Sequence, residues 1–144
     1  MVVFVCTGNT CRSPMAAALA TQLIKAQVVS AGVYAGDGYP ASQNAVQAMA
    51  DMGIDIKNHQ STQLTTELLE NASLVLTMTA SHLHAVKTLN PTVNAYTLGA
   101  YANTNTGISD PFGGDLNIYK SCATQINTLL QNCLQRLKTE LEEM

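Results

Sequence analysis

Charge is scarce in this chain of 144 residues: Asp, Glu, Lys and Arg make up 12%, and seven basic residues against ten acidic ones leave a formal net charge of −3. A basic complement so small excludes an electrostatic groove for nucleic acid, which needs clustered Lys and Arg. The apolar share of 47% equally excludes a chain too polar to fold. Membrane-length apolar runs are missing. The N-terminal run Val2-Val3-Phe4-Val5-Cys6 is far too short to span a bilayer and lacks the basic start and long apolar stretch of a secretion signal. No membrane partner and a cytoplasmic location are expected. Cysteine is limited to Cys6, Cys11, Cys122 and Cys133, with no CxxC pair and no Cys/His grouping at zinc spacing. The expectation is free thiols, no metal and no cofactor. Repeats, linkers and low-complexity tracts are also lacking, which predicts a single domain over residues 1–144. Arginine occurs only twice, at Arg12 and Arg136, and the first stands in a glycine-containing turn.

What is present is an alternation of short apolar runs and longer helical patterns. Residues 2–6 read as a strand buried on both faces, because the run is continuous rather than alternating. A helix is predicted over 14–26, with Pro14 in its first turn. A second strand starts at Val28-Val29 and ends in Ser30-Ala31-Gly32. Ser42 caps a helix that runs to about Met52 and stops at Gly53. A short helix over 65–71, a strand over 73–78, a helix over 81–89 and a strand over 93–98 follow. A loop over 99–114 leads to a last helix from Asp115, where Leu116, Tyr119, Ala123, Ile126, Leu130, Cys133, Leu137 and Leu141 form one apolar stripe. This order predicts an α/β fold: an open parallel four-stranded sheet with helices on both faces, layered as in flavodoxin. Ligands of such sheets sit at the carboxyl ends of the strands, and the first strand ends at Cys6.

The segment Cys6-Thr7-Gly8-Asn9-Thr10-Cys11-Arg12-Ser13-Pro14 joins that strand to the first helix. Gly8 and Asn9 tolerate positive φ, so the loop can curl tightly. A curled loop turns successive N–H groups inward as an anion nest, and the following helix adds its positive end. Arg12 can fork two hydrogen bonds onto an oxyanion. A thiolate is favoured in such a field, which makes Cys6 a nucleophile beneath a phosphate-sized cage. The reaction class is displacement at phosphorus through a phosphocysteine. A leaving group then needs an acid. Asp110, in Asp110-Pro111-Phe112-Gly113-Gly114, lies in a loop on the same edge of the sheet.

These motifs resemble the low-molecular-weight protein tyrosine phosphatases, which share a C-x-G-N-x-C-R-S loop and a late Asp-Pro loop. The resemblance extends to Ser30-Ala31-Gly32, to Gly53-Ile54 followed by His59, and to the strand Leu74 to Met78. It implies that Cys6 is the nucleophile, Arg12 binds phosphate, and Asp110 is the general acid and then the base for water. It implies that Thr7, Gly8, Asn9, Thr10, Cys11 and Ser13 form the substrate-binding loop, with Asn9 and Ser13 holding its shape and Ser13 easing departure of the thiolate. His59 resembles the family histidine that braces Asn9. The substrate implied is a phosphorylated protein.

Within the family, typical tyrosine phosphatases carry an aliphatic residue where this chain has Thr10, and adjacent tyrosines beyond the Asp-Pro, where it has Phe112-Gly113-Gly114. Both features, and Leu64 to Met78, resemble the bacterial protein arginine phosphatases. Phosphoarginine is therefore the expected substrate and phosphotyrosine the alternative, with Tyr34 or Tyr39 flanking the pocket. Arsenate reduction on this fold needs a mobile downstream cysteine pair, whereas Cys122 and Cys133 lie on a core stripe. His82 and His84, two apart on a helix, face different directions and do not pair as metal ligands. Cys11 lies five residues from Cys6 in a curled loop, which predicts redox control by a disulfide that traps an oxidised Cys6.

Overall fold

The computed structural model describes residues 1–142. Four strands, β1 (Val2–Cys6), β2 (Val28–Gly32), β3 (Leu74–Thr77) and β4 (Ala95–Thr97), form one sheet in the order β2-β1-β3-β4. All pairings are parallel: Val2 faces Val28 and Leu74, and Val75 faces Ala95. All five side chains of β1 are buried, as a strand covered on both faces requires.

Alternation along β1 divides the core in two. Val2, Phe4 and Cys6 face α1 (Arg12–Leu23), α2 (Gln43–Asp51) and α6 (Leu116–Asn132), together with Leu74, Leu76 and Met78. Val3 and Val5 face α3 (Thr66–Glu70) and α4 (Ala80–Leu89), through Leu69, Val75 and Val86. The chain leaves β1 toward β2 on one side, then crosses back to β3 on the other. With right-handed crossovers, this reversal sends the connecting helices to opposite faces and opens a crevice at the carboxyl end of β1.

The boundaries of the first helix, which ends at Leu23 rather than residue 26, of the fourth strand, which starts at Ala95 rather than residue 93, and of the last helix differ from the sequence pattern. Helix α1 begins at Arg12 rather than Pro14, because the curled loop runs directly into its first turn. Strand β4 ends at Thr97, and a short helix α5 (Leu98–Tyr101) occupies the start of the expected loop. The reason is a cap: Thr97 Oγ1 accepts the Ala100 N–H at 3.1 Å. The last helix is broken at Cys133 into α6 and α7 (Leu134–Glu142). Leu137 is still buried beyond the bend, and Arg136 lies over Tyr96 and Tyr101, 5.0 and 4.0 Å from their ring centroids. No described helix is long and apolar enough to cross a membrane.

The last residue of β2, Gly32, pairs with Cys6 and underlies the loop that follows it. A Cβ there would stand 2.5 Å from Thr7 O and 3.0 Å from Asn9 N. Gly32→Ala is therefore expected to destabilise the fold by about 1–3 kcal/mol, the usual range for overpacking. Urea unfolding checks this, and an unchanged midpoint would show that the loop yields freely.

Candidate active site

The loop Thr7–Cys11 turns back on itself because Asn9 adopts φ 56°, a left-handed conformation that Asn tolerates better than most side chains. Asn9 is fully buried and its amide is saturated. Nδ2 donates to Ser13 Oγ at 2.7 Å and to Ser30 Oγ at 2.9 Å, and Oδ1 accepts the Thr62 N–H at 2.9 Å. His59 Nε2 lies 2.7 Å from Asn9 O, where its N–H donates. The expected brace between His59 and Asn9 is thus a side-chain to main-chain bond. Ser30 and Thr62 complete it.

Folding the loop this way sets Ser13 against Cys6. Ser13 Oγ is 2.9 Å from Cys6 Sγ, and the Ser13 N–H reaches the same sulfur at 3.4 Å. Ser13 Oγ accepts from Asn9, and its own hydrogen has two acceptors in reach, Ala31 O at 3.4 Å and the nearer Cys6 sulfur at 2.9 Å. The helix end adds to this. Helices α2, α3, α4, α5 and α6 each open on a side-chain cap, from Ser42, Thr65, Thr79, Thr97 and Asp115. Helix α1 opens on Cys11 with no such bond, so no side chain of its own competes with a ligand for its terminal N–H groups.

Cys6, Thr7, Gly8, Thr10, Cys11, Arg12, Asp110 and Phe112 line a cavity of about 260 Å³ over the sulfur. Arg12 is buried and oriented by Nη1 donating to Ile108 O at 2.9 Å. Its Nη2 lies 3.8 Å from Asp110 Oδ2. That contact is looser than a charge-assisted hydrogen bond, and the Asp110 side chain is 55% exposed, so its carboxylate can turn to a ligand. The Phe112 N–H donates to Asp110 Oδ1 at 3.0 Å, an Asx turn that shapes this loop. Cys6, Arg12 and Asp110 are therefore brought together.

Tyr34 and Tyr39 are not among the residues that line this cavity. They stand outward, 86% and 60% exposed, and the aromatic at the mouth is Phe112. The backbone explains it: the Tyr34 N–H donates to Thr7 O, so only its main chain meets the loop. Cys11 is buried, with Sγ 3.5 Å from Ser42 Oγ and 3.4 Å from Tyr119 OH. Cys122 and Cys133 are buried, and burial pushes each thiol up to about 11.

Sequence reasoning missed His82, which is buried while His84 is exposed. His82 Nε2 lies 2.8 Å from Thr7 Oγ1, and Nδ1 lies 3.1 Å from Thr79 Oγ1. The available signal was positional: β3 pairs with β1, so the first turn of the helix after β3 opens beside Cys6.

A family model described as low molecular weight phosphotyrosine protein phosphatase matches residues 1–143. A protein-arginine-phosphatase of Geobacillus stearothermophilus is 40% identical over 144 residues, covering 96% of this chain and 97% of that protein. One of Bacillus subtilis is 39% identical over 147 residues, with the same coverage of each. A solved structure of the YwlE arginine phosphatase, a cysteine-to-serine mutant with a phosphorylated active-site serine, superposes with a TM-score of 0.90 at 37% identity, covering 95% of each chain.

Burial, and secondarily the charge of Arg12, lower the His82 pKa from 6.5 to about 4, with Asp110 opposing. The folded protein therefore refuses a proton that the unfolded chain accepts. The stability contributed by a neutral His82 is complete above pH 6.5 and is lost as pH drops toward 4, by no more than about 3 kcal/mol. Urea unfolding across this range should show the loss, and His82→Gln should remove that part of it. An identical pH slope in the variant would contradict the assignment.

Proposed function

The chain belongs to the low molecular weight phosphotyrosine protein phosphatase family, and from that premise we propose that it hydrolyses phosphoarginine in proteins through a phosphorylated Cys6. The observation that carries the reading is the convergence of Cys6, Arg12 and Asp110 on one cavity floored by the loop. In the first step the Cys6 thiolate attacks phosphorus opposite the guanidino nitrogen. The S–P bond forms as the P–N bond breaks, and Asp110 gives its proton to the departing nitrogen. Arg12 and the loop N–H groups hold the phosphoryl oxygens, whose charge is best met by a bidentate fork. In the second step Asp110 takes a proton from water, the water oxygen attacks phosphorus, and Cys6 leaves as a thiolate that receives the Ser13 hydrogen bond. One water is consumed, and arginine and inorganic phosphate are released.

Thr7, Gly8, Asn9, Thr10, Cys11 and Ser13 form the binding loop in this reading. Cys6 and Arg12 meet only the phosphoryl group, which phosphoarginine and phosphotyrosine share. Discrimination falls to the mouth, where Thr10 and Asp110 offer polar groups to a guanidino group. Phe112, 78% exposed, presents a flat face to either substrate. The relatives named protein-arginine-phosphatase support the first substrate. Arsenate reduction is disfavoured by the buried, high-pKa thiols of Cys122 and Cys133. For redox control, a peroxide-formed sulfenic acid on Cys6 condenses with the Cys11 thiol to a disulfide and releases water.

The test compares turnover of phosphoarginine and phosphotyrosine peptides by the wild type and by Thr10→Ile. The wild type is expected to prefer phosphoarginine. Loss of a hydrogen bond to a charged partner is worth about 1.5–3 kcal/mol, so Thr10→Ile should shift the kcat/KM ratio toward phosphotyrosine by about one to two decades. A wild type that prefers phosphotyrosine, or a ratio indifferent to the substitution, would overturn the arginine assignment.

A further inference from the structure

The side chains of Thr7 and His82 have no part in the two chemical steps, yet they are joined beside the mouth of the cavity. Thr7 is exposed and lines the mouth, while His82 is buried beside it on α4. The contact is the 2.8 Å approach of Nε2 to Thr7 Oγ1, and it continues inward. Nδ1 meets Thr79 Oγ1 at 3.1 Å, and Thr79 Oγ1 meets Ser81 Oγ at 3.0 Å. The direction of the hydrogens along this chain decides what Thr7 offers to a substrate, because a hydroxyl has one hydrogen and two lone pairs.

Resting on the phosphoarginine reading, we propose that His82 is a positioning residue whose Nε2 accepts the Thr7 hydroxyl hydrogen, leaving Thr7 Oγ1 to accept a hydrogen bond from the substrate's guanidino N–H. Donors and acceptors must match between substrate and mouth. Phosphoryl oxygens only accept, and the loop N–H groups and Arg12 already supply donors to them. The guanidino end brings N–H donors, so the mouth must supply acceptors. Asp110 is one; Thr7 Oγ1 turns both of its lone pairs to the mouth when its hydrogen goes to Nε2.

The chain accommodates this without an unplaced hydrogen. Thr7 O–H donates to Nε2, Nδ1–H donates to Thr79 Oγ1, and Thr79 O–H donates to Ser81 Oγ. Ser81 is exposed and gives its own hydrogen to water. The burial and the Arg12 charge that keep the imidazole neutral preserve the Nε2 lone pair. In the reverse direction Nε2–H would occupy one Thr7 lone pair and leave the hydroxyl hydrogen on the substrate side, where it competes with the guanidino N–H for space around the remaining lone pair.

Two measurements test this. In ¹⁵N NMR of the labelled protein at neutral pH, the proton of His82 is expected on Nδ1 with Nε2 bare; a proton on Nε2 would overturn the proposal. In kinetics, the readout is kcat/KM on a phosphoarginine peptide divided by that on an aryl phosphate, which has no N–H to offer. Thr7→Val and His82→Leu should each lower this ratio about tenfold, as loss of one hydrogen bond implies. The double variant should be no worse than either single one, and His82→Gln, whose amide oxygen can accept, should recover part of the loss. An unchanged ratio, or additive losses, would overturn the role of Thr7 and His82 alone. A wild type inactive on phosphoarginine would bring down the substrate assignment and this inference with it.

Discussion

The left-handed backbone at Asn9 is the constraint on which the site depends. At φ 56° it reverses the chain, so that Ser13, seven residues beyond Cys6, returns to within 2.9 Å of its sulfur. Such a conformation costs a non-glycine residue about 1–2 kcal/mol. Here it is held by hydrogen bonds to Ser13, Ser30, Thr62 and His59, each worth about 1 kcal/mol net. These partners come from α1, β2 and the segment before α3. The loop is thus fixed by the whole face of the fold and does not wait for a ligand to shape it.

The sheet order places this loop. Reversal of the winding direction after β2 leaves the carboxyl end of β1 open between neighbours that both contribute to it. From β2 come Ser30 and the bare Cα of Gly32, which lets the loop lie flat against the strand. From the end of β3 comes α4, carrying His82. The uncapped start of α1 then turns a general property of helix ends into a site for an oxyanion. Asp110 arrives from the loop that follows α5, exposed enough to exchange Arg12 for a substrate.

Much of this was legible in the sequence, because much of it is local. Cys6 to Ser13 is a single contiguous segment whose residue types already specify a curl, an anion nest and a nucleophile. The parallel arrangement followed from the unbroken apolar run of β1, and it also placed Asp110 on the correct edge. Tertiary contacts were harder to read. The partner of Thr7 is 75 residues away, and helical periodicity says only that His82 and His84 diverge, not which one is buried or against what. The tyrosines of the loop after β2 invited a pocket wall, but the main chains of Tyr34 and Tyr39 are tied to Thr7 and Ser61 while their side chains stand in solvent. The short α5 rested on a single cap at Thr97. The bend at Cys133 was hidden because the apolar stripe continues through it.

In the proposed reaction the clamped loop makes Cys6 the atom that receives the phosphoryl group. The most direct measurement is rapid quenching of a single turnover on a phosphoarginine peptide, followed by mass spectrometry of the protein. A phosphoryl adduct on Cys6 is expected that forms and decays more slowly in Asp110→Asn, where neither the departing nitrogen nor the attacking water is served, and is absent in Cys6→Ala. Turnover with no adduct on Cys6, or undiminished turnover by Cys6→Ala, would contradict it.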